Sequence, residues 1–307
     1  MLRYAFRRVL QFIPVWFGVA TLVFLMVHII PGDPVLAMVG NRPIPAEMLE
    51  SLRHEMGFDQ PLHVQYYRFV LSALRGDLGR SVVSGLPVMQ EISSRLPSTV
   101  QLAVAGLGLA IPLGVFLGVI AAIHRGTFWD SAVLVGSLVF ISIPGFWFGL
   151  LLIYAFGVWL KWLPIGGTGG FKTLIMPATV LAISAAPGLA RLTRASMLEV
   201  LRSDYVRTVR AYGFKEVVVI VKHALRNALN PVVTVVGLSF ASMLGGAFII
   251  EQVFSRPGLG RLAVQSIYSR DFPTIQGIVL YSATLFLVCN LLVDLSYSLL
   301  DPRVRQR

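Results

Sequence analysis

The residues able to do chemistry in this chain gather in one place. Between Arg191 and Asn230 an otherwise apolar sequence carries eight of its 26 Lys and Arg residues. The run Asp204-Tyr205-Val206-Arg207-Thr208-Val209-Arg210-Ala211-Tyr212-Gly213 continues through Phe214 and Lys215 to His223-Ala-Leu-Arg226-Asn227-Ala-Leu-Asn-Pro231. Such side chains are cationic and hydrogen-bonding, and Gly213 supplies a corner that can turn left-handed. They offer docking in a polar groove of another protein, with a solvated positive loop as the bland alternative. Catalysis lacks its parts. The five histidines show no His-Glu-x-x-His spacing, no Gly-x-Ser-x-Gly elbow is present, and the one cysteine, Cys289, has no disulfide partner. No Gly-x-x-x-x-Gly-Lys-Ser/Thr phosphate loop occurs, and Gly166-Gly-Thr-Gly-Gly170 has no lysine after it, so it is a flexible turn. His28, Glu251 and Asp294 stand at the ends of apolar runs rather than in their middles, which disfavours an ion-coupled secondary transporter. No catalytic residue, metal or cofactor is expected in this chain.

The elements that must position the basic segment are membrane helices. Only 13% of residues are charged, against roughly 25% in soluble domains, and the mean hydropathy is +0.75. Six apolar runs are long enough, or nearly so, to cross a hydrocarbon core: Val9 to Ile30, Thr99 to Ile123, Ser131 to Trp159, Leu174 to Ala190, Pro231 to Ile250 and Thr274 to Val293. The reading is an all-α integral membrane protein with six transmembrane helices. Arg3, Arg7 and Arg8 precede the first run; Arg303, Arg305 and Arg307 follow the last. An even span count puts both ends with the basic loop, and the Lys/Arg bias makes that side cytoplasmic. This topology accounts for the net charge of +11, so nucleic acid is not expected as a partner.

Two parts are expected. Residues 1–98 hold the N-terminal end, the first span and an outer amphipathic segment; residues 99–307 hold a five-helix core with the basic loop at about 191–230. In the outer segment, Met48, Leu49, Leu52 and Met56 recur at helical spacing before Gly57, and Leu62 to Leu74 forms a second amphipathic stretch ending at Gly76. Gly114-Val-Phe-Leu-Gly118 and Gly145-Phe-Trp-Phe-Gly149 are small-xxx-small patterns that let helices approach closely. Pro144 should kink the third span. Trp129, Trp159 and Trp162 sit where interfacial anchors belong. Met197 to Tyr212 reads as a helix continuing from the fourth span, and Val217 to Val221 as a helix buried against neighbouring spans.

The basic segment resembles the coupling loop, Glu-Ala-Ala-x-x-x-Gly, of bacterial ABC-importer permeases. It is most similar to the peptide/nickel variant, Asp-Tyr-x-Arg-Thr-Ala-Arg-Ala-Lys-Gly then His-Ala-Leu-Arg-Asn-Ala-x-x-Pro, from which Val209 and Tyr212 depart around an intact Gly213. Pro31-Gly-Asp-Pro34, Gly76-Asp-Leu-Gly-Arg-Ser81, Pro257-Gly258-Leu-Gly260-Arg261, Arg270-Asp271-Phe-Pro273 and Asp301-Pro-Arg303 also look like that family, so the likeness spans the chain. It implies a type I ABC importer permease fold in a bacterial inner membrane. A homologous second permease, two cytoplasmic ATPases that bind ATP and Mg, and an external solute-binding protein would be its partners, beside the lipid bilayer. By the same resemblance Tyr205, Arg207, Thr208, Arg210, Ala211, Gly213, Phe214, Lys215, Arg226, Asn227 and Pro231 would engage an ATPase. Glu251, Pro257, Gly258, Gly260, Arg270, Asp271 and Pro273 would face the binding protein. The cargo implied is a dipeptide or oligopeptide, with glutathione and a nickel or metallophore complex as alternatives.

Overall fold

The computed structural model describes residues 2–29, 35–36, 45–55 and 57–300. Pro31 to Pro34, Met56 and the tail from 301 lie outside them. The first apolar run forms α1 (Leu2–Ile29), followed by the outer helices α2 (Ala46–Glu55) and α3 (Leu62–Leu74). Gly57 and Gly76, the expected stops, have φ of +74° and +80°. The core then runs through α4 (Val88–Ile123), α5 (Phe128–Ser142), α6 (Gly145–Leu152, continued by a π-helical stretch Ile153–Trp159) and α7 (Lys172–Leu201). After these come α8 (Asp204–Ala211), α9 (Leu225–Gly246), α10 (Phe248–Val253), α11 (Leu259–Ser269) and α12 (Phe272–Leu300). Among the described residues no strand is present; Arg80 and Pro87 form an isolated antiparallel bridge. Among the described residues five helical stretches are long and apolar enough to span, six if the α5–α6 pair, bent by 93°, is taken as one span.

Close packing of α4 on α7 builds the middle of the bundle, and small residues make it possible. Gly106, Ala110, Gly114, Gly118 and Ala122 recur every four residues on α4, so they line one face. A methyl group at Gly114 would stand 2.6 Å from the Leu189 Cβ, and one at Gly118 would stand 2.6 Å from the Ala190 carbonyl oxygen. The contact advances from Gly106–Leu181 to Gly118–Thr193, so the two helices run parallel. On the flank, α1 runs antiparallel to α12: Trp16 Nε1 donates to Thr284 Oγ1 at 3.0 Å, and Gln276 Nε2 donates to the Val23 carbonyl at 3.0 Å. The outer helix α3 leans on α1 through the Thr21–Tyr66 hydroxyl pair at 2.8 Å and the Phe24–Tyr66 edge contact.

Several expectations need correction. The second span starts at Val88 rather than Thr99, because its first turns are polar and the Glu91–Arg95 pair at 3.2 Å hides the helix from a hydropathy reading. The third is not a kinked helix but a broken one. Ile143 is extended (ψ 121°), as a residue before proline prefers, and the helix restarts at Gly145. Met197 to Tyr212 is not continuous with α7 either: the chain breaks at Arg202 and Ser203, and Ser203 adopts the extended N-cap conformation before α8. Val217 to Val221 is helical, passing from the turn Glu216–Val218 into a π-helical stretch Val219–Ala224, yet only Val219 is buried while Val217 is 71% exposed. Pro231 lies inside α9 rather than at the start of its span.

Candidate functional site

The projection carrying the expected docking residues is built from α8, the Gly213 corner and the helical turn that follows. The short α8 buries Val206, half-buries Val209 and leaves the rest exposed. Its C-terminus closes when the Gly213 amide donates to the Arg210 carbonyl at 2.9 Å, with Gly213 at φ +80°. That is the left-handed stop glycine provides without a Cβ clash. Arg210 then spans the corner and grips Glu216 with both arms of its guanidinium, Nε at 3.1 Å and Nη2 at 2.7 Å. This hydrogen-bonded contact holds the Glu216 carboxyl below the ordinary carboxylate range and raises the Arg210 guanidinium in turn. Both groups stand at the exposed corner, Arg210 ahead of the fifth spanning helix and Glu216 at its very first residue.

A second tie fixes α8 to the start of α9. Asn227 Nδ2 donates to the Tyr205 hydroxyl at 2.8 Å, and that hydroxyl donates to the His223 carbonyl at 3.3 Å. The Phe214 and His223 rings stack obliquely with centroids 5.8 Å apart. The expected residues therefore converge. Tyr205, Arg207, Thr208, Arg210, Ala211, Gly213, Phe214, Lys215, Arg226 and Asn227 form one exposed projection, while Pro231 stands a turn further along α9. Tyr212 (78% exposed), Phe214 (51%) and Val217 (71%) put apolar surface at its tip beside Arg207, Lys215 and Arg226. The tip thus presents bare aromatic surface rimmed by cations, on a corner braced from inside.

At 43% identity over 97% of this chain and 98% of its own length, a Brucella abortus (strain 2308) protein is similar; its name makes it a peptide transport system permease protein. At 42% identity over 100% of both chains, so is the glutathione transport system permease protein GsiC of Escherichia coli (strain K12). The family model described as "Binding-protein-dependent transport system inner membrane component" matches residues 114–306, and its N-terminal companion matches 1–103. The chain belongs to this permease family. A solved chain of the MetNI methionine ABC transporter, in an inward-facing form, shares the fold with a TM-score of 0.59. It is 18% identical and covers 69% of this chain and 97% of its own. The chain is thus an all-α type I importer permease, a membrane-spanning transport subunit.

On the opposite side of the permease, the second set of expected residues divides. Pro257 and Arg270 are exposed and Pro273 is half-buried, but Glu251, Gly258, Gly260 and Asp271 are buried. Glu251 accepts from Thr99 Oγ1 at 2.6 Å and from the Gly260 amide at 2.8 Å, so it caps α11 and ties it to α4. Burial pushes this carboxyl up, and its donors, Thr99, the Gly260 amide and the Arg261 amide at 3.4 Å, work against that. Gly258 and Gly260 are glycines because no Cβ fits: one would lie 2.1 Å from Glu251 Oε1, the other 2.2 Å from the Phe248 Cα. Asp271 accepts from Ser81 Oγ at 2.5 Å and Thr274 Oγ1 at 2.8 Å, joining the Gly76–Ser81 motif to α12. These four residues shape this face from inside and present no side chain to a partner.

Sequence reasoning also missed a pair. Arg194 on α7 donates to Asp130 on α5 through Nε at 2.5 Å and Nη2 at 2.7 Å, and the Gly126 amide adds a third bond to Asp130 at 3.0 Å. The lone acid after Trp129 and the lone base in Arg194-Ala-Ser-Met-Leu-Glu199 were the only signals, 64 residues apart. The pair fixes the α4–α5 turn to α7 about two turns before α7 ends, on the side of the basic corner.

Proposed function

We infer that this permease is one half of the translocation pathway of an ATP-driven importer of short peptides, glutathione included as a tripeptide. The observation that carries the reading is the braced, outward corner at Gly213. It is an uncovered docking element on a chain that has no phosphate loop and no ionisable group in the middle of a span, so energy must reach it through that corner. Tyr205, Arg207, Thr208, Arg210, Ala211, Gly213, Phe214, Lys215, Arg226 and Asn227 sit in a groove of a cytoplasmic ATPase, with Pro231 setting the return into the membrane. Closure of two such ATPases on ATP and Mg pulls the corner, and the Asp130–Arg194 strut passes the movement to the broken third span. Both termini lie on that side, in the cytoplasm of a bacterial cell. A homologous second permease completes the pathway, and an external solute-binding protein meets the opposite face at Pro257, Arg270 and Pro273. Peptide cargo is supported by the names of the relatives from Brucella abortus and Escherichia coli.

Purification in mild detergent followed by reconstitution tests this. The reading expects an ATPase subunit to copurify, and labelled di- and tripeptides to enter proteoliposomes only with ATP on the corner side. Uptake driven by an ion gradient without ATP would show a secondary transporter instead. A nickel complex carried while peptides are refused would reassign the cargo.

A further inference from the structure

At the junction of α6, α7, α9 and α10 lies a cavity of about 560 Å³, within the roughly 300–1,000 Å³ usual for small-molecule sites. Its wall includes Gly145, Phe146, Ser184, Leu238, Ser239 and Ser242. No Asp, Glu, Lys, Arg or His lines it. Ser239 and Ser242 are neighbours on one face of α9, and no hydrogen bond within the described residues engages either hydroxyl. Ser184 faces them from α7; its hydroxyl donates to the Val180 carbonyl at 3.0 Å and its lone pairs remain free to accept.

A break in the helices opens onto this cavity. The third span is interrupted at Ile143 and Pro144, directly before the wall residues Gly145 and Phe146. Ser184 and Ser242 are exposed on its wall, so their hydroxyls are open to whatever enters. A charged wall in such a place would sort solutes by sign, and this wall has hydroxyl and apolar groups alone.

We propose that this cavity is a solute-contact site that takes peptides by their backbone amides, through Ser184, Ser239 and Ser242, and does not select among side-chain charges. The proposal rests on the peptide-importer reading and adds the site and its specificity. Cysteine chemistry tests it, because Cys289 is the chain's one cysteine and Cys289→Ser clears the background. In the assembled transporter, Ser242→Cys should react with small cationic and anionic methanethiosulfonates at rates differing by less than about tenfold, the low end of what charged clefts impose. Addition of ATP with vanadate should change that reactivity. Ser239→Asp should then slow acidic tripeptides relative to basic ones by about tenfold, and Ser239→Lys should do the reverse, as a new charge begins to steer. An unreactive Cys at 242, a strong preference for one reagent, or charge variants that affect every peptide equally would overturn the proposal. If no peptide enters with the wild-type chain while Ser242→Cys labelling remains nucleotide-dependent, the cargo reading fails and the proposal of a peptide site falls with it. The accessible cavity alone would then stand.

Discussion

Replacing Gly213 separates backbone strain from steric collision, because a Cβ there meets nothing within 4 Å. Any penalty therefore comes from holding an L-residue at φ +80°, which is about 1–2 kcal/mol. That corresponds to a five- to thirtyfold fall in the population of the native corner. A relaxed φ swings Phe214 and Lys215 off their line and pulls Glu216 from the Arg210 fork, while the spans, which do not touch this residue, stay assembled. Gly213→Asn should be mild, since asparagine tolerates left-handed backbone, and Gly213→Val should be worst because it is β-branched. The assay is ATP-dependent peptide uptake in proteoliposomes, normalised to inserted permease and to copurified ATPase. Uptake should fall in the order Gly, Asn, Ala, Val, with Val down by about five- to thirtyfold. Equal uptake by the Val and wild-type chains, or Asn as damaging as Val, would refute the argument.

Four further outcomes follow from the same structure. Arg194→Ala leaves the buried Asp130 unpaired and should lower stability by about 3–5 kcal/mol, seen as a lower melting midpoint in detergent; Arg194→Lys should recover only part of it, lacking the two-armed grip. Gly118→Val should destabilise the α4–α7 contact by about 1–3 kcal/mol or more, whereas Gly108→Ala, with nothing within 4 Å of the added Cβ, should leave the midpoint unchanged. Glu251→Gln turns an amide group toward backbone and hydroxyl donors and should cost about 1–3 kcal/mol, again read as melting. For the corner, the Glu216 carboxyl is held down by Arg210, so its contribution is complete above the ordinary carboxylate value and is lost as pH falls through the lowered one. Protease nicking at residues 212–216 should thus stay flat from neutral pH down to the ordinary carboxylate range and rise below it, while Glu216→Gln is nicked at every pH.

What could be read in advance was what depends on local pattern. Apolar length found the spans, and glycines at helix ends marked the corners at Gly57, Gly76 and Gly213 because only position in the chain was needed. The start of α4 was hidden because its first turns, with Glu91 and Arg95, carry charge that only a folded neighbour makes tolerable. The break after Leu201 had one visible signal, Ser203-Asp204, the residue types that begin helices, and the amphipathic pattern continuing across it concealed the stop. For the acids of the outer face, sequence could not tell surface from interior. Glu251 and Asp271 look like exposed charges until Thr99 and Ser81, more than 150 residues away, arrive to bond them. The α5–α7 strut escaped for the same reason.

In the proposed mechanism the Gly213 corner is gripped by an ATPase. A photoreactive benzoylphenylalanine at position 214, irradiated in the assembled transporter in native membranes, measures this directly. The expected product is a covalent adduct between this permease and a nucleotide-binding subunit, with the same probe at Tyr268 on the opposite face yielding none. Adducts at 214 with lipid alone, or no adduct while transport is intact, would contradict the claim.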